Sequence, residues 1–296
     1  MSTSLESTQA ISSTVRAGAA SWTKRHPLMA FFILAYGFAW LLWIPLLVLS
    51  GNGLGMLPFK APTLLIEILS GFSPAVAAVV VTGLIEGRAG VAHLLRRCIQ
   101  WRVGAKWYLT AFLVPILFLA ASLLLGAIQP VALLQKWPLL LTFYPLDLLI
   151  QAIIGGGLGE EPGWRGFALP RMQSRFGPLP AAILLGLLHA CWHIPLFFVP
   201  ELSQANFSFV LYALVGIAVS IFLAWVYNNT GGALPIMMVL HEAENTTSAL
   251  SLHLAPEYLD RTPAYLIVFG IVAAIVVLVT RGTLAYKRGG VSQAEQ

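Results

Sequence analysis

The sequence predicts an all-α integral membrane protein, one bundle of roughly eight spanning helices. Three observations carry this: charge is scarce, apolar runs recur from end to end, and basic residues gather between alternate runs. Of the 296 residues, 58% are hydrophobic and 10% charged, with mean hydropathy +0.82. Soluble domains carry about 25% charged residues, and an apolar stretch of about 20 residues is long enough to cross a bilayer. No polar linker divides the chain. The expected organisation is therefore a polar N-terminal tail over 1–26, a single bundle over 27–281 and a basic tail over 282–296.

The first apolar run, 28–50, holds Trp40 and Trp43 in its second half, and 51–61 reads as a Gly-rich turn. The second, 62–85, contains Glu67 and Pro74, and the proline is predicted to bend it. Residues 88–107 follow as a basic amphipathic segment, with Leu94, Leu95, Ile99 and Val103 spaced to lie along a surface. The third run covers 107–128. The fourth, 139–159, ends at an acidic pair, and a polar connection with Arg171 and Arg175 leads to the fifth, 178–199. The sixth is 207–227, closed by a tight turn over 228–232. The seventh, 233–252, is the most polar, and the eighth is 263–280.

Loop charges test this count. With both termini cytoplasmic, only Lys60, Lys136 and Arg261 of the 17 Lys and Arg fall outside, as the positive-inside rule requires. That topology puts the acidic pair near the cytoplasmic end of the fourth run. It also accounts for the net charge of +5 without a nucleic-acid partner. Cys98 and Cys191 offer neither a disulfide framework nor metal-type spacing. The run after His26 is too long for a signal-peptide core.

Three polar clusters interrupt the apolar text. The first is GGGLGEEPGWR, 155–165. Carboxylates and an arginine at membrane depth are costly and call for compensation or use. The glycines permit close helix contact, and Pro162 predicts a kink or a new helix. If the segment is helical, Glu161 and Arg165 are four apart and can pair. Glu160 then points about 100° away, free of that pair and able to act as a base toward water. A charged collar at a helix end would read the same way in isolation. The second cluster is His189 with His193, four apart on one face, suited to holding a metal, accepting protons or joining helices. The third is HEAEN, 241–245. There His241 and Asn245 share a face with Glu244 near it and Glu242 on another side. An imidazole beside a carboxamide suits a developing oxyanion, and it equally suits a polar network between helices. No G-x-S-x-G or H-E-x-x-H occurs. General-base activation of water on a peptide carbonyl, or a metal held by His and Glu, are the chemistries left.

EEPGWR, WHIPL and HEAEN match, in order, the three motifs of the CAAX protease and bacteriocin-processing (CPBP, or Abi) family, and the resemblance extends over about 96–248. That family includes the Ras-converting enzyme, an eight-helix intramembrane glutamic endopeptidase that cleaves behind a prenylated cysteine. The resemblance implies Glu160 as the base for water, assisted by His193, with His241 and Asn245 stabilising the oxyanion. Glu161 and Arg165 would orient the site. It implies a peptide or protein substrate, lipidated or not, in a bacterial or archaeal plasma membrane, and no cofactor. His189 stands where the family usually has Phe or Trp, and whether it joins the chemistry, binds a metal or packs is open from sequence. Two rivals remain at this level. One is a zinc-dependent membrane hydrolase. The other is a non-catalytic immunity or transport protein, for which Glu67, Asp147 and Glu244 would suit an ion path.

Overall fold

The computed structural model describes residues 18, 21–51, 61–125, 130–154, 156–199, 202–254 and 262–287. Most of the two tails, the 52–60 part of the first turn, and Arg16, Lys60, Arg261 and Arg288 lie outside the described residues. Within them the regular structure is entirely helical. In chain order come α1 (Pro27–Gly51), α2 (Ala61–Gly71), α3 (Ser73–Arg97), α4 (Ala105–Leu124) and α5 (Pro130–Ile154). Next are α6 (Gly156–Gly163), a π-helical turn (Trp164–Ala168), α7 (Leu169–Phe176) and α8 (Pro178–Trp192). Short 3₁₀ turns at Ile194–Phe198 and Ser203–Asn206 lead to α9 (Phe209–Asn229), α10 (Leu234–Leu254) and α11 (Thr262–Thr280).

The described parts of all eight predicted runs are largely helical, and 126–128 of the third lie outside the described residues. Among the described residues, five helical stretches are long and apolar enough to cross a membrane, one of them, Leu65–Arg97, running through α2 and α3. A sixth span results if Leu141–Gln151 and Gly156–Phe176, bent by 46°, are taken as one. The other two predicted spans differ for physical reasons: α8 has only 15 residues, and α10 carries the polar third cluster. The exterior is apolar, with Leu41, Leu124, Leu278 and Val279 each at least 75% exposed. A water-soluble surface would not present so many large apolar side chains.

Two local expectations are corrected. Pro74 does not bend the second run; the chain breaks at Gly71 and Phe72, and Pro74 sits in the first turn of α3, where its missing N–H costs nothing. Residues 88–107 are not a surface helix. Their first half continues α3 beyond a break at Gly87 (φ 70°), and Leu94 and Arg97 turn inward. Arg97 donates to the carbonyls of Gly166 (3.1 Å) and Gly232 (2.9 Å) and to the Tyr227 hydroxyl (2.5 Å). It thereby ties α3 to the π turn and to the bend after α9. Leu95 and Ile99 do face outward.

The short helix α6 lies among α3, α5 and α10, and α10 in turn packs on α4 and α5. Close approach explains its glycines. A methyl group on Gly159 would lie 2.5 Å from the Gly71 carbonyl oxygen, and one on Gly163 equally close to Pro74. The sequence therefore places α6 backbone to backbone against the α2–α3 break, the packing that small residues permit.

Candidate functional site: two buried carboxylates and three imidazoles

Helix α6 delivers Glu160 and Glu161 into the protein, 5% and 0% exposed. Pro162 supplies no N–H, and the backbone widens into the π turn immediately after Gly163; such turns often mark functional sites. Two i,i+4 pairs then form side by side. Arg165 meets Glu161 Oε1 at 2.6 Å, while the Trp164 indole N–H donates to Glu160 Oε2 at 3.2 Å.

The two carboxylates face different helices. His241 of α10 brings Nδ1 to within 2.7 Å of Glu161 Oε1, so that one oxygen serves both a guanidinium and an imidazole. His189, in the last turn of α8, brings Nε2 to within 2.7 Å of Glu160 Oε2. His193 follows α8, and its Nδ1 hydrogen-bonds the His189 carbonyl at 3.1 Å. Other carbonyls near this helix end are also occupied. The Tyr36 hydroxyl donates to Leu188, and Trp40 Nε1 donates to Trp192 at 2.9 Å. Helix termini otherwise leave such carbonyls without partners, and here α1 fixes the end that presents both histidines.

On α10, Glu242 is fully buried, accepts the Gly157 backbone N–H, and accepts from Asn245 Nδ2 at 3.3 Å. The Asn245 amide is thus oriented from the side away from the cavity. Gly156 shows where the two halves converge. A methyl group there would lie 2.5 Å from Glu160 Oε1 and 3.1 Å from His241 Nε2.

A cavity of about 510 Å³ opens over this convergence, lined by Glu160, His189, His193, His241 and Asn245 together with Glu67 and Glu244. The three clusters predicted from sequence therefore meet at one place. Glu161 and Arg165 are outside its lining and pair with each other, the contact their i,i+4 spacing allowed. The structure adds that the imidazole in direct contact with Glu160 is His189, while His193 is beside it. Trp164 went unnoticed from sequence, Glu242 was set on another side of its helix without a role, and Gly156 was read only as permitting close helix contact. Trp164 left a signal there, its i+4 relation to Glu160. Glu160, His189 and His193 each offer one ligand atom within 4.8 Å of the others, the set that could hold a metal ion.

The family description "Type II CAAX prenyl endopeptidase Rce1-like" matches residues 142–247. The central segment of this chain is Rce1-like. CAAX prenyl protease 2 of Methanococcus maripaludis is 47% identical over 45 residues, which cover 15% of this chain and 17% of that protein. The Rce1-like segment contains every carboxylate, imidazole and amide described above except Glu67. The supporting hydroxyl and indole of Tyr36 and Trp40, on α1, come from outside it.

Proposed function

We propose that this protein is an intramembrane endopeptidase in which Glu160 activates a water molecule for attack on a peptide carbonyl. The observation that carries the reading is the convergence of Glu160 Oε1 and His241 Nε2 over Gly156 at the cavity wall. In the reaction, Glu160 takes a proton from water as the hydroxide oxygen bonds to the carbonyl carbon. The oxyanion is stabilised by Asn245 and by the protonated His241 ring, whose Nδ1–H is held by Glu161. Collapse breaks the C–N bond, and the proton on Glu160 passes to the departing amine. General-base action of this kind is worth about 10²–10⁴-fold in rate, and one oxyanion donor a further 10²–10³-fold. His189 holds the other oxygen of Glu160, with His193 beside it, so the carboxylate stays turned toward the cavity.

A peptide or protein substrate, prenylated near its scissile bond, fits the Rce1-like segment and the name of the relative it matches. The charge distribution supports both termini and the site on the cytoplasmic side of a bacterial or archaeal plasma membrane. The test is cleavage of matched prenylated and unmodified peptides by purified protein in detergent, comparing wild type with Glu160→Gln. The expected result is that Glu160→Gln loses about 10²–10⁴-fold in kcat while peptide binding and melting temperature hold. Full activity in that variant removes the mechanism. Equal cleavage of both peptides removes the lipid requirement and leaves the mechanism standing.

A further inference from the structure

A second cavity, of about 340 Å³, lies between α3 and the π turn with α7, and the proposed reaction does not use it. Its lining includes Thr82, Glu86, His93, Arg97, Arg171 and Ser174 and shares no residue with the candidate site. We propose that this cavity binds the phosphate group of a membrane phospholipid, with Arg97 and Arg171 as its two cationic contacts.

Three observations support this. First, guanidinium groups outnumber carboxylates there. Arg97 is 7% exposed, and its bonds go to neutral oxygens, the carbonyls of Gly232 and Gly166 and the Tyr227 hydroxyl. Among the described residues, no carboxylate pairs with it. Glu86 is the one acidic residue of the lining, and it is already paired with Arg171. A buried charge without a counter-ion is costly, so an anion entering the cavity supplies what Arg97 lacks.

Second, the donors converge. Arg97 Nη1 donates to the Gly166 carbonyl at 3.1 Å, and Arg171 Nη1 donates to the Phe167 carbonyl at 3.0 Å. Adjacent carbonyls of the π turn thus hold the two guanidinium groups near each other. Arg171 is fixed further by the Phe167 ring, whose centroid is 3.9 Å from its guanidinium carbon. A guanidinium has five N–H donors. Arg97 makes four bonds to the described residues, which leaves one N–H on Nη1 for a ligand. Such planar donors match phosphate oxygens closely. Glu86 need not block entry. Its side chain is 44% exposed and can swing into water when a phosphate takes its place on Arg171, because surface pairs of this kind are weak.

Third, the depth is that of headgroups. Arg97 is the last residue of the spanning stretch Leu65–Arg97, at the end where apolar text gives way to Arg102 and Lys106. Basic pockets between helices at that level suit anionic lipid headgroups. Binding is read without any cleavage, so the inference does not depend on the peptidase reading.

The experiment is native mass spectrometry and thermal melting of tag-free protein in non-ionic detergent and phosphate-free buffer. The protein is titrated with dioctanoyl phosphatidylglycerol and, in separate arms, with glycerol 3-phosphate and inorganic phosphate. The expected result is saturation at one phosphatidylglycerol per chain with a raised melting temperature. Arg171→Gln is expected to weaken binding at least about tenfold, as loss of a charge-assisted hydrogen bond does. Glu86→Gln removes the internal competitor and is expected to tighten it. Arg175→Gln, exposed and outside the lining, is expected to leave it within about twofold. If Arg171→Gln fails to fold, judged by gel filtration and melting, Glu86→Gln carries the test, and unchanged or weaker binding there overturns the proposal. Equal affinity for the soluble phosphates keeps the site and overturns the lipid as its source. Absence of saturable binding in every arm overturns the proposal. So does an equal loss in Arg171→Gln and Arg175→Gln, the mark of general attraction between a basic surface and an anionic lipid.

Discussion

Glu160 and Glu161 are neighbours, chemically identical and both buried, yet the two halves of the site around them are built differently. Glu161 is enclosed. One of its oxygens meets the Arg165 guanidinium at 2.6 Å and the His241 ring at 2.7 Å, and the side chain has no exposed surface. Among the described residues, Glu160 pairs with a histidine and with no arginine or lysine. Its Oε2 is held by His189 and Trp164, and its Oε1 is turned to the cavity. A carboxylate locked between fixed charges maintains geometry. One held by one edge, with the other open to a cavity, can exchange a proton. The contrast arises from the 100° step between adjacent helical residues, which sends two side chains to different neighbouring helices.

The sharpest way to break this comparison is to neutralise the enclosed carboxylate instead of the open one. Glu161→Gln leaves Arg165, 1% exposed, without its counter-charge. Removing one partner of a buried ion pair costs about 3–5 kcal/mol. The expected outcome is a large fall in melting temperature and in yield of folded protein. Glu160→Gln should lose activity at nearly unchanged stability. If Glu161→Gln melts like wild type, the two carboxylates do not divide the work as described. Adding Arg165→Met to Glu161→Gln sharpens the test: stability should recover toward wild type, because no buried guanidinium is then left without its counter-charge.

These assignments also show how much of the molecule could be read from its sequence. Relations inside one helix were legible. Glu161 with Arg165 followed from i,i+4 spacing, and the opposite direction of Glu160 followed from the same geometry. The eight apolar runs and their helical character followed from composition and length. Contacts between segments were not legible in the same way. That His189 rather than His193 touches Glu160 depends on how the end of α8 is clamped by Tyr36 and Trp40, far away in the chain. Arg97 looked like a surface cation because it stands among other basic residues. Burial of its guanidinium requires three acceptors from separate elements, and no local pattern announces them. Pro74 was read as a bend because a single sequence does not reveal that Gly71 needs to end one helix and make room for Gly159.

A smaller effect sharpens the comparison at the point where the two halves meet. Gly156→Ala puts a methyl group 2.5 Å from Glu160 Oε1 and 3.1 Å from His241 Nε2. The end of the Glu160 side chain can swing aside, so the fold is expected to tolerate the change. The space for water and oxyanion is then lost, and displacement of about 1 Å at a reacting centre costs on the order of 10²-fold. Peptide cleavage should fall by about that factor with melting unchanged. Unchanged cleavage would place the reacting water elsewhere in the cavity.

The smallest expected effect tests the support on the open carboxylate alone. Trp164 is fully buried, and Phe31 and Phe32 pack on its ring at centroid distances of 5.5 and 6.2 Å. Trp164→Phe keeps one aromatic ring in that packing, at the cost of some buried volume, and deletes the N–H donated to Glu160 Oε2. A hydrogen bond to a charged acceptor contributes about 1.5–3 kcal/mol when its loss leaves the acceptor bare. Here His189 still holds the same oxygen, so the loss is shared and the cost falls below that range. The carboxylate gains freedom to rotate, which lowers the fraction of time Oε1 faces the cavity. The expected outcome is a fall in kcat of less than about tenfold with KM nearly constant, measured on the peptide that wild type cleaves. A change confined to KM would mean that the indole contacts substrate and does not position Glu160. A loss as large as that in Glu160→Gln would mean that the indole N–H, and not the imidazole of His189, is what holds the base in place.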